Sequence, residues 1–209
     1  MGKEQRDALR PYAFCAASSG AHNAVIAMVG RDKRVLDLGC STGYLAEKFR
    51  GNGCFVVGVE QDEESAHQAQ SRCDRLIRAD VEEVFSRPGF SAGDFDVIVC
   101  ADILEHLRDP AALLIRARSC LSEGGRIIVS VPNVARADIR LKLLFGRFDY
   151  EDAGIMDKTH LRFFTCRSAC RLVAEAGYRV SRVQYTGMAA RIRLFPGLLS
   201  FQFVIEAFA

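Results

Sequence analysis

Short, nearly unbroken apolar runs alternate along the chain with stretches of helical composition, and this alternation limits the fold more than any other feature. Five runs come in order: Arg34–Leu38, Phe55–Glu60, Arg75–Arg78, Phe95–Cys100 and Arg126–Val131. A strand buried on both faces loses the alternation of polar and apolar residues, so such runs are typical of the interior of a parallel sheet. The sequence therefore predicts an α/β fold in which helices cover both faces of the sheet.

The segments between and after these strands predict the helices and one irregular region. Helices are expected over Gly43–Arg50, Glu63–Arg72, Pro110–Leu121 and Arg167–Ala176, and over part of residues 5–29. Pro110 fits a first helical turn, and Gly124 with Gly125 is predicted to close the third helix. Residues 133–165 fit no strand–helix repeat, so we interpret them as an insertion that covers the substrate. Two final strands, Arg179–Tyr185 and Phe201–Phe208, are predicted to pair antiparallel.

Composition excludes several classes of protein. The chain has 209 residues, 49% of them hydrophobic and 26% charged, which predicts one globular domain over residues 1–209. A net charge of +2 gives no general attraction to nucleic acid. No apolar run reaches the roughly 18 residues of a membrane span, so we expect no stable membrane insertion. The N-terminus lacks the apolar core of a signal peptide, and the eight cysteines form no Cys-x-x-Cys pair, which together predict a cytoplasmic protein.

Polar residues follow three successive predicted strands. Asp37 precedes a tight turn that contains Gly39 and Gly43, and Glu60 ends the next strand. Asp80 follows the third strand. Ligands of open α/β sheets bind beyond the carboxyl ends of the strands, where carboxylates can accept hydrogen bonds from ribose hydroxyls and an adenine amino group. The glycine spacing differs from the Gly-x-Gly-x-x-Gly of dinucleotide sites, so the three strand ends predict one adenosine rather than NAD.

These residues lie within five motifs that resemble those of the class I S-adenosylmethionine-dependent methyltransferases. In order they read VLDLGCSTG, VVGVE, RADVEEV, FDVIVCADILEHLRDP and LSEGGRIIVSVPN. The likeness is to the small-molecule branch, with members of the ubiquinone O-methyltransferase and methionine-biosynthesis protein W types. It implies a Rossmann-like, three-layer, doubly wound sheet of seven strands, mostly parallel with the last one antiparallel. Ser41 departs from the glycine that many members have.

The resemblance also implies a cofactor, S-adenosylmethionine, with S-adenosylhomocysteine as product. Residues implied around the methionine part are Asp37, Gly39, Ser41 and Gly43. Glu60, with Gln61 beside it, would hold the ribose, while Asp80 and Val81 would contact the adenine. Ala101 and Asp102 would line the wall near the sulfonium.

His160 is the predicted catalytic residue, because an aliphatic hydroxyl needs a proton acceptor and histidine titrates near neutral pH. It lies in GIMDKTHLRFFT, within the insertion. The alternative interpretation is structural: His160 binds a loop carbonyl, and one of Phe163 and Phe164 lies in the core.

A second cluster raises the question of a metal. Asp102, Glu105 and His106 are close enough in sequence for two carboxylates and an imidazole to approach one cation. The pattern resembles that of the ubiquinone-pathway O-methyltransferases, where it is associated with a divalent metal, but many relatives use a similar pair structurally. We therefore treat the three residues as candidates and expect no metal.

The predicted function is methyl transfer to a small molecule, with a hydroxyl as acceptor and a sugar or cell-surface glycan precursor as the suggested substrate. The alternative is a catalytically silent cofactor-binding partner of another enzyme. Methylation of nucleic acid is disfavoured, because no Asn/Asp-Pro-Pro-aromatic motif follows the fourth strand. The basic, apolar stretch around Arg140 and Leu144 could face an anionic substrate, a lipid surface or water, and we favour water. We expect a monomer or a homodimer.

Overall fold

The strands of the computed structural model, which describes residues 19–86, 89–187 and 195–209, form one sheet of seven. They are β1 Arg34–Leu38, β2 Phe55–Glu60, β3 Arg75–Arg78, β4 Phe95–Ala101, β5 Leu121–Pro132, β6 Arg179–Tyr185 and β7 Gln202–Phe208. Their order across the sheet is β3-β2-β1-β4-β5-β7-β6. The first five pair in parallel, whereas β7 is antiparallel to β5 and to β6. The predicted fold class is confirmed.

Helices occupy the connections, mostly where the sequence predicts them. They are α1 Ser19–Val29, α2 Tyr44–Gly51, α3 Glu63–Ala69, α4 Pro110–Arg118, α5 Ala137–Leu144, α6 Cys166–Glu175 and α7 Pro196–Leu199. Local sequence sets several of their starts: the Asp62 and Asp109 side chains accept from the backbone N–H three residues on, and Pro110 occupies the first turn of α4. Thr165 and Ser168 form a capping box at α6. The part of the predicted N-terminal helix before residue 19 lies outside the described residues.

One prediction about α4 is wrong. Gly124 and Gly125 do not close this helix, which ends at Arg118, but lie inside β5. The reason is a bulge: Phe95 pairs with Leu121, and the next pair along β4 joins Val97 to Arg126. The extra residues of β5 need a bend, and Gly124 supplies it with a φ of 71°. The fifth strand therefore begins earlier than its apolar run.

Successive residues of the central strands pack on opposite faces of the sheet. Leu36 and Leu38 of β1 belong to a core cluster that includes Leu114 of α4 and Val173 of α6. Val35, their neighbour in sequence, belongs to a second cluster. That cluster includes Val25 of α1 and Phe49 of α2. Because helices cover both faces, the strands are apolar along nearly their whole length, and sheet and helices together form three layers.

The insertion, residues 133–165, is tied to the domain at both ends. Asn133 forms an isolated bridge with Phe164, next to the start of α6. A small cluster of Ile139, Ile155 and Met156 gives the insertion its own core. Of the two adjacent phenylalanines Phe164 is buried and Phe163 half-buried, as the sequence predicts for one of them. No helix in the described part of the chain is long and apolar enough to cross a membrane.

Candidate functional site

The turn after β1 passes over the end of β2. The backbone N–H groups of Gly39 and Cys40 both donate to the carbonyl of Val59, at 2.9 and 3.0 Å. Gly39 has a φ of 71°, and a Cβ on it would lie 2.7 Å from Cδ1 of Ile103. Only glycine meets both conditions without displacing its neighbour. Ser41 also has a positive φ, 48°, in the position where the resemblance leads us to expect glycine.

Glu60, at the end of β2, is held by backbone donors from two directions. The N–H of Ser41 reaches its Oε2 at 2.9 Å, and the N–H groups of Gln61 and Asp62 reach its Oε1 at 2.8 Å. A carboxylate offers about four acceptor positions, so three backbone bonds fix its orientation and leave capacity for a ligand hydroxyl. This carboxylate is set in place before any ligand binds.

A cavity of about 290 Å³ opens at this edge of the sheet. The residues implied as cofactor-binding that line it are Gly39, Glu60, Gln61, Asp80 and Val81. They come from the ends of β1, β2 and β3, which lie side by side in the sheet. A cavity of this size, with a glycine turn from one strand end and carboxylates from the next two, is typical of a small-ligand site.

The other five implied cofactor residues do not line this cavity. Gly43 is needed for packing, since a Cβ on it would lie 3.1 Å from Cα of Ala69 in α3. Asp102 has a φ of 53°, and its carboxylate is engaged by other side chains. Ala101 ends β4 and packs against the second core cluster, and Ser41 donates to Glu60.

Asp37, the fifth of these residues, is a buried carboxylate in β1 with 1% of its surface exposed. Its Oδ2 has no hydrogen-bond partner among the described residues. Burial, and secondarily the charge of Glu60, raises the pKa of Asp37 to about 7. A buried carboxylate of this kind gains most from a cationic donor, which would supply both the missing hydrogen bond and the missing charge.

Glu105 is a second buried carboxylate, in the short helical turn Leu104–His106 after β4. Neither of its side-chain oxygens has a hydrogen-bond partner in the described part of the chain. Burial raises the pKa of Glu105 well above its usual range, and the neighbouring Asp102 raises it further. The insertion packs on this turn, because the N–H groups of Leu161 and Arg162 donate to the backbone carbonyl of Glu105 at 2.8 and 3.0 Å.

Two histidines stand beside Glu105 in matching arrangements. Nδ1 of His160 lies 3.1 Å from the carbonyl oxygen of Ile155, and Nδ1 of His106 lies 3.3 Å from that of Thr159. A carbonyl only accepts, so each imidazole donates its Nδ1–H and, when neutral, presents a lone pair at Nε2. The rings meet edge to face, with centroids 4.8 Å apart.

The two histidines differ in their access to the cavity. His106 lines it, together with Leu161. His160 lies behind His106 with 4% of its surface exposed, and its Nε2 has no partner among the described residues. Burial, followed by the nearby His106, lowers the pKa of His160, so this imidazole is neutral at physiological pH.

Glu105, His106 and His160 each offer one metal-ligating atom, and these atoms lie within 4.8 Å of one another. The sequence singled out Glu105 and His106 but paired them with Asp102. Asp102 is not part of this cluster, and its Oδ1 accepts instead from Ser130 and Gln202 at 2.9 Å. His160 takes its place, brought there by the fold of the insertion.

Several residues of the site were not predicted from the sequence. Three of them follow β4 and line the cavity: Ile103, Leu107 and Arg108. Ligands bind beyond the carboxyl ends of strands, so these residues could have been predicted by including the turn that follows β4. Leu161 also lines the cavity, yet nothing in the local sequence distinguishes it from the other apolar residues of the insertion.

The chain is similar to known methyltransferases in both sequence and fold. A family model described as a methyltransferase domain matches residues 9–183. The ubiquinone biosynthesis O-methyltransferase of Psychrobacter arcticus is 29% identical over 178 residues, which span 78% of this chain and 66% of the relative. The enzyme of the same name from Thiobacillus denitrificans is 30% identical over 169 residues, spanning 75% of this chain and 68% of the relative. The chain therefore matches about two thirds of the length of these relatives.

Among solved structures, the chain is similar in fold to 1,6-didemethyltoxoflavin-N1-methyltransferase of Burkholderia thailandensis, which was determined with S-adenosylhomocysteine bound. The TM-score is 0.66 at 22% sequence identity, and the match covers 98% of this chain and 82% of that one. At this identity the likeness concerns the fold alone.

Proposed function

Since the chain belongs to the small-molecule branch of the class I S-adenosylmethionine-dependent methyltransferases, we propose that it transfers a methyl group from S-adenosylmethionine to a hydroxyl of a small molecule. One observation carries the proposal. Gly39, Glu60 and Asp80, from three separate strand ends, line one cavity in the order that the parts of this cofactor require.

The residues present fit the cofactor. Glu60 keeps free acceptor capacity for ribose hydroxyls after its three backbone bonds. Gly39 leaves space beside the turn after β1, and a side chain at this position would fill that space. The unpartnered Oδ2 of Asp37 suits an ammonium group, which the amino-acid end of the cofactor carries.

The sulfonium of the bound cofactor supplies the methyl group as an electrophile, and the chain contributes position and proton transfer. Ile103 and Leu107 give the cavity apolar walls beside the carboxylates. Holding an acceptor oxygen in line with the methyl group would account for much of the rate, because proximity replaces an encounter in solution.

The acceptor's proton is assigned to the histidine pair. His106 lines the cavity and presents Nε2, so it is the imidazole that an acceptor would meet. His160, the residue predicted from the sequence, lies directly behind it, with a lowered pKa that keeps it neutral. We assign His106 to take the acceptor's proton at Nε2, and His160, the base predicted from the sequence, to receive that proton from His106 at its own Nε2.

A divalent cation is a second way to complete the same cluster. The Glu105 oxygens and Nε2 of His160 have no hydrogen-bond partner within the described residues. The carboxylate of Glu105 and the imidazoles of His106 and His160 form a donor set that suits such an ion. When bound there, it would lower the pKa of an acceptor hydroxyl. Removing metals with a chelator separates the two versions: unchanged turnover supports the histidines alone, and turnover restored by Mg²⁺ or Mn²⁺ supports the cation.

The sequence suggested a sugar or glycan precursor as the acceptor, whereas the proposal here covers any small molecule with a hydroxyl group. The two relatives named above are O-methyltransferases of ubiquinone biosynthesis, and this supports oxygen as the methylated atom. Neither is named for a sugar, so a sugar or glycan precursor stays a prediction. A screen of phenolic and sugar hydroxyl compounds, with the methylated product measured by mass spectrometry, tests the two classes side by side.

Calorimetric titration with S-adenosylhomocysteine tests the first requirement of the proposal, which is that the protein binds this cofactor. The wild-type protein should bind this ligand and not NAD, and Glu60→Ala should lose binding. Glu64→Ala is the matched control, because Glu64 is an exposed acid on α3 outside the cavity. Failure of the folded wild type to bind would overturn the proposal. Binding without product across the screen would favour the alternative, a cofactor-binding partner without transferase activity.

A further inference from the structure

The carboxylate of Asp102 is held by side chains from two other strands. Its Oδ1 accepts from the Ser130 hydroxyl of β5 and from the Gln202 amide of β7, both at 2.9 Å. Ser130 is fully buried and Gln202 is 5% exposed. A buried amide and a buried hydroxyl that converge on one oxygen fix the side-chain torsions of the aspartate.

The backbone of Asp102 is fixed as firmly as its side chain. Its φ is 53°, in the left-handed region that non-glycine residues rarely adopt. Its N–H donates to the carbonyl of Ser130 at 3.1 Å, and Gln202 is anchored in turn, since its N–H donates to Oγ1 of Thr186 at 3.2 Å. Such a conformation persists only where the surroundings over-determine it, and it often marks a functional position.

The position of Asp102 along the sheet edge indicates what it faces. The strands at this edge come in the order β3, β2, β1 and β4. Asp80, Gly39 and Asp102 follow β3, β1 and β4, and Glu60 is the last residue of β2. Neighbouring strands lie about 4.8 Å apart, so these residues are spread over the length of an extended ligand. With adenosine assigned to Asp80 and Glu60, the amino-acid end falls at β1 and β4.

Two carboxylates therefore stand at the end where the ligand carries its ammonium group. Oδ2 of Asp37 has no hydrogen-bond partner in the described part of the chain, and Asp102 uses only Oδ1 in its bonds to Ser130 and Gln202. Ile103, the residue after Asp102, lies where a Cβ on Gly39 would be, so Asp102 borders the glycine turn.

We propose that Gln202 and Ser130 are positioning residues for cofactor binding: they hold Asp102 through one oxygen so that the other faces the amino-acid end of S-adenosylmethionine. The inference rests on the proposed function. It assigns a role to the last strand, whose Gln202 is a hundred positions from Asp102 and outside every motif of the sequence. Without the amide or the hydroxyl, the carboxylate would rotate and the charged contact would weaken.

A pair of ligands separates this role from a general effect on folding. S-adenosylhomocysteine carries the amino-acid group, whereas 5′-methylthioadenosine has the same adenosine and sulfur without it. We expect Gln202→Leu and Ser130→Ala each to lower affinity for S-adenosylhomocysteine about tenfold, the effect of one charge-assisted hydrogen bond, and to leave affinity for 5′-methylthioadenosine unchanged. Ser130→Ala removes one oxygen and keeps the volume, so it serves if Gln202→Leu fails to fold.

A double-mutant cycle checks that the effect passes through Asp102. On an Asp102→Ala background, Gln202→Leu should have no further effect on S-adenosylhomocysteine affinity. Gln184→Leu on β6, whose amide oxygen accepts from Arg182 instead, is the control that should change neither ligand. Equal loss for both ligands, no loss for either, or a full effect on the Asp102→Ala background would overturn the inference. Failure of the wild type to bind either ligand would instead overturn the proposed function.

Discussion

The sheet edge and the insertion place functional groups in opposite ways. At the edge, Glu60 lies at the end of its strand and receives three backbone hydrogen bonds before any ligand arrives. In the insertion region, Glu105 and His160 are buried beside one another, with polar atoms that have no hydrogen-bond partner among the described residues. The carboxylate at the edge is held in place by backbone bonds, whereas the carboxylate and imidazole beside the insertion are available for a proton, a cation or an acceptor.

This difference follows from how each region is built. Parallel strands fix the spacing of the residues that follow them, so the edge is made by the same backbone bonds that make the sheet. The insertion is positioned by a few contacts instead, such as the two N–H groups that donate to the Glu105 carbonyl. We therefore expect substitutions at the edge to change binding and substitutions in the insertion to change turnover.

The histidine pair gives the largest expected effect. His106→Ala and His160→Ala should each lower turnover by about 10²- to 10⁴-fold, as loss of a proton acceptor does, with affinity for S-adenosylhomocysteine nearly unchanged. Single-turnover kinetics and calorimetry measure the two quantities separately. His67→Ala is the control, because His67 is an exposed histidine on α3. Full turnover in His160→Ala would remove this residue from the mechanism and leave His160 as a core side chain.

The same contrast explains how much could be predicted from the sequence. All seven strands and the three acidic strand ends are local patterns: an apolar run, a glycine turn, an acid at a fixed interval. The bulge in β5 is not local, because it depends on how Leu121 and Arg126 pair with β4. Nor is the replacement of Asp102 by His160 beside Glu105, which needed the folded insertion. The hydrogen bond from Gln202 to Asp102 joins distant parts of the chain and leaves no pattern at all.

Two glycines with the same backbone angle test the rigidity of the edge. Gly39 and Gly124 both have a φ of 71°, but a Cβ on Gly39 would meet Ile103 at 2.7 Å, whereas one on Gly124 would meet no described residue within 4 Å. Alanine at either position should cost about 1 kcal/mol of unfolding free energy through the left-handed conformation. Gly39→Ala should cost about 1–3 kcal/mol more through overpacking against Ile103. Of the two variants, it alone should also weaken S-adenosylhomocysteine binding, about tenfold, because Gly39 lines the cavity. Equal affinities in the two variants would show that the turn after β1 can shift to accommodate the added methyl group.

The pKa of Asp37 predicts a smaller, pH-dependent effect at the edge. With a pKa of about 7, raised first by burial and then by Glu60, the ligand-free carboxyl holds a proton in mild acid. Binding an ammonium group requires that proton to leave, so S-adenosylhomocysteine affinity should fall about tenfold per pH unit below 7 and level off above it. Affinity for 5′-methylthioadenosine should not follow this curve, and Asp37→Asn should flatten it. Calorimetry in buffers of different ionisation enthalpy counts the released proton.

Rising pH should affect the two properties that depend on Asp37 in opposite directions: it strengthens ligand binding and lowers the free energy of unfolding. Because the folded state holds this proton more tightly than the unfolded chain, with a usual pKa of 3.8, the contribution of Asp37 is fully present below that value. It is lost as pH rises to about 7. Urea denaturation of the ligand-free protein across this range should therefore show a steeper decline for the wild type than for Asp37→Asn. Parallel curves would mean that Asp37 is ionised in the folded protein.

The smallest effect is expected at the outer surface of the insertion. Leu144 and Phe145 are 77% and 74% exposed at the end of α5, so Leu144→Gln and Phe145→Gln should change the free energy of unfolding by less than about 0.5 kcal/mol. Ile155→Ala, in the small core of the insertion, is the contrasting variant and should cost about 2–5 kcal/mol if its site cannot relax. Turnover with an identified acceptor should survive both surface changes if this face meets only water. A rise in KM with unchanged stability would extend the acceptor site outward along α5, and the insertion would then recognise the acceptor as well as complete the histidine cluster.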